Sequence, residues 1–270
     1  ISLAFASPGR AAPFLGGARP VRIANPLGEE SRLMRPSLLP ALLDAVRHNQ
    51  AQLPSLTDLR LFEVGRTFAW GADAELPEET TRVAGVLRGR RAPRGWSTPD
   101  DRVDAYDLKG AVEALLDAFR VRGRFAAEDE AHLHPRSATA VYVESTRLGT
   151  LGELHPDLAT RLDLDGPPVF VFEIDLDGLH QRRGREPEHR PLPKLPPAQR
   201  DLSFFVAREV EAESALEVVR AAAPPELESV RVFDVYEGQG VPEGSKSLAL
   251  ELTFRAADRT LEESEISAAQ

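Results

Sequence analysis

Residues 180–200 read HQRRGREPEHRPLPKLPPAQR, and no other stretch constrains the fold as strongly. Prolines at 187, 191, 193, 196 and 197 remove backbone N–H donors and fix φ, so the segment is expected to run extended between two separately folded parts. Its cations, Arg182, Arg183, Arg185, Arg190, Lys194 and Arg200, suit either a solvated spacer or an arm lying along an anionic backbone. The expected organisation is a first domain over residues 1–185, a basic linker over 186–200 and a second, smaller domain over 201–270.

Composition removes several classes of function. The chain has no cysteine, which excludes disulfides, thiolate metal cages and a cysteine nucleophile, and makes the cytoplasm the expected compartment. No apolar run approaches the roughly 20 residues of a membrane span, so no membrane is expected as a partner. The opening ISLAFASPG lacks an initiator Met and alternates like a strand already under way. At the other end Thr260 and Glu263 have the spacing of a capping box, which opens a helix that the chain ends within. Both termini lead us to expect a piece of a larger polypeptide.

The first domain mixes helices and strands. SLLPALLDAVRHN places Leu38, Leu39, Leu42, Leu43 and Val46 on one stripe, with Ser37 as the expected cap and Pro40 in the first turn. DLKGAVEALLDAF repeats the pattern, with Asp107 as expected cap and Leu108, Val112, Leu115, Leu116 and Phe119 inward. Strand-like runs are LRLFEVG, TRVAGVLRG, SATAVYVES, TRLGTLGEL and PVFVFEIDL, several close enough for hairpins. An α+β domain with a mainly antiparallel sheet and packed helices is expected.

The second domain reads more simply. LSFFV (202–206) is a strand, residues 211–223 a helix, ESVRVFDVY a strand, and SLALELTFR a strand with Leu248, Leu250, Leu252 and Phe254 alternating. With the helix opening at Thr260, the order βαββα is a ferredoxin-like domain without its last strand. Residues 202–206 would then form an open sheet edge.

The runs IANPLGEESRLMRPSLLPALLDAVRHN, LRLFEVGRTF, YDLKG, LGELHPDL, PVFVFEIDLDGL, PAQRDLSFFV and VFDVYEGQGVPEGSKSLALELTFRAADRTLEESEI, in this order, resemble the C-terminal part of the bacterial phenylalanine–tRNA ligase beta subunits. The resemblance implies a class II synthetase-like domain without catalytic function, then a ferredoxin-fold anticodon-binding domain. It implies further a catalytic alpha subunit as partner in an α2β2 heterotetramer, and the anticodon stem-loop of tRNA(Phe) as the second partner. ATP and Mg²⁺ would serve the whole complex, with no cofactor in this chain. Stripes such as 38–46 would pack either on alpha or on this domain's own sheet.

The same resemblance makes the loss of catalysis legible. Amino-acid activation develops charge on phosphates, which fixed cations must meet. Class II enzymes are similar in carrying a strand ending Phe-Arg-x-Glu and a later Gly-rich strand leading to Glu-Arg. Here Phe68 is followed by Ala69 in place of the Arg, and Gly71 replaces the acid. Glu173 and Asp175 stand for glycines, and Asp177 and Gly178 replace the Glu-Arg pair. Carboxylates at phosphate positions are electrostatically backwards, so catalytic residues are expected to be absent. Glu63 is expected as a buried, paired remnant of the ancestral pocket, on the strand face opposite Arg66.

Two further constellations carry alternatives. His132 and His134 would share one face of a strand, and Glu153 and His155 likewise, a set that would suit a transition metal and make the protein a metal-dependent hydrolase. The HLHP and ELHP contexts resemble structural turns of the family instead, and no metal is expected. A regulatory module binding a small molecule through the second domain is another reading, detectable as ligand-dependent stabilisation. For RNA, residues 191–270 hold 8 Lys/Arg against 15 Asp/Glu, unlike a freestanding binder. Local geometry would therefore have to supply the contacts: Lys194, Arg200, Arg231, Lys246, Arg255 and Arg259 to phosphates, Phe233 or Tyr236 to bases. For both aromatics strand alternation favours a place in the core.

Overall fold

The computed structural model describes residues 2–53, 57–72, 74–186, 193, 195–256 and 259–261. They divide into two compact units, Ile1–Glu186 and Pro187–Gln270. The first begins with β1 (Phe5–Ala6), α1 (Pro8–Ala11) and β2 (Leu33–Met34), β1 and β2 forming a small antiparallel pair. The expected opening strand is thus only two residues long. There follow α2 (Leu39–Gln52), β3 (Leu59–Ala69), β4 (Glu78–Arg88), α3 (Ala105–Ala118), β5 (Gly123–Ala127), β6 (Thr139–Val143), β7 (Thr146–Glu153), α4 (Pro156–Arg161), β8 (Val169–Asp175) and α5 (Leu176–Gln181).

Strands β3 to β8 make one antiparallel sheet in the order β3-β4-β8-β7-β6-β5. β8 lies inside the sheet and is covered on both faces, which is why VFVFEID reads as a nearly continuous apolar run. Val169 and Val171 join one core with Leu38, Leu39, Leu42, Leu43 and Val46 of α2, while Phe170, Phe172 and Ile174 join the other with Leu108, Val112 and Leu116 of α3. Alternation along β4 agrees, Ala84 and Val86 facing α2 and Val83 facing α3. The sheet is therefore the middle of three layers. The α2 stripe that had two possible partners is spent on this unit's own sheet.

Two helix starts differ from expectation. Asp104, not Asp107, caps α3: its carboxylate accepts from Tyr106 N at 2.8 Å and Asp107 N at 3.0 Å, while Asp107 reaches back to Asp104 N at 2.8 Å. This is a capping box with both positions acidic, displaced by one turn from the position that the apolar stripe suggested. In α2 the N-cap residue is Leu38, and Ser37 Oγ accepts from Leu39 N at 3.1 Å.

The second unit contains β9 (Ala198–Ala207), α6 (Ala212–Ala222), β10 (Leu227–Tyr236) and β11 (Ser245–Phe254). Its sheet runs β10-β11-β9, antiparallel throughout, with Leu248, Leu250, Leu252 and Phe254 of the central strand buried. Val219 of α6 packs on that core. The strand expected over 202–206 begins earlier, so Ala198–Arg200, expected as linker, are its first residues. β9 is an edge of this sheet among the described residues. The helix expected after Thr260 lies outside the described residues, as does Lys194.

Candidate functional site

The α2 face of the first unit's sheet is not covered along its whole length. Beyond the N-terminus of α2 the strands floor a cleft of about 440 Å³, with Thr67 and Ala69 from β3, Thr80 and Arg82 from β4, Thr150 from β7 and Glu173 from β8. This is where strand alternation puts two of the degenerate positions, Ala69 and Glu173. Asp175, Asp177 and Gly178 line a neighbouring cleft with Glu78, Thr80 and Arg182. Gly71 lies past the end of β3, where an added Cβ would meet Glu78 Oε1 at 2.3 Å.

Glu173 is 8% exposed, and both its oxygens are engaged. Oε1 accepts from Leu38 N at 2.6 Å and from Ser37 Oγ at 3.0 Å, and Oε2 lies 3.4 Å from Arg82 Nη1. The carboxylate thus sits on the positive end of α2, where helix N–H groups are otherwise unpaired. Burial raises its pKa above the usual carboxylate range, opposed by Arg82, the Leu38 amide, Ser37 and Arg35. Asp175 accepts from Gly178 N at 2.8 Å and caps α5; Asp177 accepts from Thr81 N at 2.7 Å and ties α5 to β4. The expectation that Glu173 and Asp175 would confront phosphates is refined: both have become structural, one anchoring a helix and the other starting one.

Glu63 is paired as expected. Its Oε1 meets Arg35 Nη1 at 2.7 Å and Ser2 Oγ at 2.5 Å, and Arg35 Nε donates to the Arg66 carbonyl at 2.8 Å. Arg35 gains its place because residue 65 has no side chain; a Cβ there would lie 2.2 Å from Arg35 Nη2. Sequence reading missed Arg35, Arg82 and Ser37 as organisers of this region. Arg82 was findable, as a charge set between Thr80 and Ala84 on the inward series of β4.

Nucleotide chemistry does not fit the cleft. The position of the phosphate-binding Arg is Ala69, and Arg82 is turned to Glu173. Arg147 is held by Glu128 at 2.7 Å and by Glu130. Among the described residues no guanidinium of this cleft remains unpaired to meet a polyphosphate.

The expected same-face pairs on strands do not form: His132, His134 and His155 lie outside the strands, and Glu153 ends β7. His132 and His134 flank Leu133, which forms a single bridge to Leu154, and each imidazole has a local task. His134 Nδ1 accepts from Arg136 N at 3.1 Å and His155 Nδ1 from Asp157 N at 3.2 Å, so these ring lone pairs stabilise turns. His132 is buried against Phe14, and desolvation aided by Arg147 lowers its pKa to about 4. Among the described residues no group of three or more His, Asp or Glu forms a metal site.

The second unit distributes its candidates over both sheet faces. Register with β11 puts Arg231 opposite Glu251 and Tyr236 opposite Ser247 on the face away from the buried leucines. Arg200 opposite Leu252 and Lys246 opposite Val206 fall on the helix-packed face. Arg231 is bound in a fork by Glu251 at 2.8 and 3.0 Å, and Arg255 by Glu228 at 2.8 Å. Phe233 and Tyr236 are each 48% exposed and not in the core. For Tyr236 the reason is a register shift between Val232 and Asp234, which turns it from the face of Val230 and Val232 to the other; Phe233 follows Arg231 on the outward series without any shift. Phe205 and Val235 are exposed as well, and Ser203 and Ser247 hydroxyls meet at 3.2 Å. Arg259 has further interactions within the protein.

Residues 1–176 match the family described as the phenylalanyl tRNA synthetase beta chain CLM domain. The chain belongs to this family. Residues 193–270 match the ferredoxin-fold anticodon binding domain. The phenylalanine–tRNA ligase beta subunit of Syntrophotalea carbinolica is 40% identical over 252 residues, covering 93% of this chain and 31% of the relative. Those of Moorella thermoacetica and Geobacter sulfurreducens are each 39% identical, over 254 and 249 residues, covering 93% and 92% of this chain and 31% of each relative. The chain spans about a third of the length of the relatives that it matches. Membership agrees with the α+β architecture and the ferredoxin-fold second unit, and gives the metal-dependent hydrolase no support.

Proposed function

We propose that this chain is the non-catalytic, C-terminal part of a phenylalanine–tRNA ligase beta subunit, an aminoacyl-tRNA synthetase component that acts in the cytoplasm. Its first unit is a scaffold for the catalytic alpha subunit in an α2β2 heterotetramer, and its second unit contacts the anticodon stem-loop of tRNA(Phe). ATP and Mg²⁺ serve the alpha subunit, because Arg82 and Arg147 of the equivalent cleft here are engaged by Glu173, Glu128 and Glu130. The observation that carries this reading is the ordered match of both family models to the two compact units.

On the second unit the exposed Phe205 and Tyr236 are the stacking candidates, and they flank β11 on one face. Arg231 and Arg255 would first have to exchange Glu251 and Glu228 for phosphate. Contacts by the isolated chain are accordingly weak and strongly salt-dependent. The deciding experiment is co-expression with a tagged bacterial alpha subunit, followed by affinity capture and mass determination. Stable co-elution supports the scaffold; failure with both proteins folded overturns it for this length of chain. Phenylalanine-dependent pyrophosphate exchange by the purified chain would refute the inactive cleft.

A further inference from the structure

The end of α3 and the residues after α5 bring two arginine-rich runs together. Residues 119–124 read FRVRGR and residues 180–185 read HQRRGR, six arginines in all and no acid, in a chain of net charge −10. Gly184 joins the runs: its N–H donates to the Phe119 carbonyl at 2.9 Å, and an added Cβ would lie 2.2 Å from the Arg120 carbonyl oxygen, so the close approach requires glycine. Arg182 braces the second run, donating to the Gly178 carbonyl at 3.0 Å and to Thr146 Oγ1 at 2.8 Å. Arg120 reaches across from the first, with Nη1 donating to the Arg185 carbonyl at 3.5 Å. Arg120, Arg122, Arg183 and Arg185 are exposed, and among the described residues none of them forms an ion pair, although Asp117 and Glu186 are near in sequence. Arg120 has a φ of 58°, a left-handed conformation just past α3 where glycine or asparagine is usual. An arginine thus stands where the backbone disfavours it, with a charge that no carboxylate offsets.

The C-terminus of α3 attracts a cation, but one would satisfy it. Four guanidiniums without carboxylates, carried on two hydrogen-bonded segments, make a surface for a polyanion. The runs expose no large apolar side chain, Phe119 and Val121 being half-buried. The surface therefore has neither the apolar anchor of a protein interface nor a ring on which a base could stack. Contact with phosphates remains, and a double-helical stem presents these in a regular, preordered row. We propose that Arg120, Arg122, Arg183 and Arg185 bind the phosphate backbone of an RNA stem without reading its sequence. The choice of RNA over another polyanion rests on the functional reading above. The surface lies wholly in the first unit and shares no residue with the aromatic candidates of the second.

Titration of the 270-residue chain with a labelled RNA duplex that has no loop tests this contact apart from any anticodon. Four phosphate contacts predict an affinity loss of about 150-fold between about 50 and 200 mM salt. Each single replacement, Arg120→Gly, Arg122→Ala, Arg183→Ala or Arg185→Ala, should lower the logarithmic slope by about 0.9, and the four together should remove most of it. Arg120→Gly also relaxes the backbone at its position, so it should weaken binding while the thermal midpoint holds or rises, which separates binding from folding. A control with Arg19, Arg94, Arg102 and Arg136 changed to Ala alters the net charge equally and should keep the parent's slope. Absence of duplex binding by the folded chain at about 50 mM salt overturns the proposal. Equal weakening in the control also overturns it, since net charge alone would then account for binding. Displacement of the duplex by polyglutamate at matched charge would assign the surface to an acidic protein instead. The functional reading is judged by capture of alpha and by the anticodon loop, neither of which a loop-free duplex involves, so the two fail or succeed separately.

Discussion

Replacing Glu173 with Ala and, separately, with Gln tests how the old cleft is held. Alanine removes the acceptor of the Leu38 amide and of the Ser37 hydroxyl and leaves Arg82 without its carboxylate. A hydrogen bond to a charged group contributes about 1.5–3 kcal/mol and a neutral-donor bond about 1, while the Arg82 pair, long and about one-third exposed, adds little. A net loss of about 3 kcal/mol is expected, a fall in Tm of about 6–12 °C for a unit of this size. Glutamine keeps a carbonyl oxygen for Leu38 and Ser37 and should stay within about 1 kcal/mol of the parent. Half-buried Trp70 makes intrinsic fluorescence a suitable probe for heat and urea unfolding of the first unit. The pH trend supplies an independent sign. Because burial raises the folded pKa above the ordinary 4.5, the unfolded chain releases this proton first as pH climbs. The parent should therefore lose stability relative to Glu173→Gln as pH rises from about 4.5 through the folded pKa, then level off. Equal losses for Ala and Gln would refute the helix-anchor account, and a parent that gains on Gln with rising pH would refute the dominance of burial over Arg82, the Leu38 amide and Ser37.

Three more outcomes are expected. Asp104→Ala removes the acceptor for Tyr106 N and Asp107 N and should cost about 0.5–2 kcal/mol, read as a lower urea midpoint with unchanged slope. Arg35→Met leaves the largely buried Glu63 unpaired and should cost about 3–5 kcal/mol, part of which Arg35→Met with Glu63→Gln should restore in thermal melts. His132, with its pKa lowered to about 4, should remain neutral in NMR titration through pH 5 to 8. Its unfolded form protonates nearer 6.5, so stability should fall as pH drops through the interval between the two values, by up to about 3 kcal/mol. A His132→Phe variant should flatten that limb of the profile.

Regular periodicity made most of this architecture legible before any coordinates. The i, i+2 leucines of β11 and the helical stripes of α2 and α3 state which face is buried, and the structure buries those residues, Leu115 and Phe119 of the α3 stripe only in part. Short elements were not legible: α4 and α5 are six residues each, too few for a stripe to repeat, and are set by His155 and Asp175 accepting from the following amides. Tyr236 was misjudged because a register shift is a property of two strands, and one strand's sequence carries half of it. The cleft was legible as a loss, through Ala69 and Glu173. What replaced the lost function was not, because Arg35, Ser37 and Arg82 converge from separate elements and meet only after folding.

The strand order has a consequence during synthesis. β4 finds one neighbour in β3 immediately before it, but its other neighbour is β8, with Arg82 paired to Asp175. On a ribosome adding about 5–20 residues per second, the far side of β4 waits for roughly 5–20 seconds, with Val83 and Val86 lacking their final cover. That interval is long beside the microseconds in which a hairpin forms. A nascent chain of this family should therefore draw on holding chaperones most heavily while α3 to β7 are emerging, and that demand should end abruptly once β8 clears the exit tunnel.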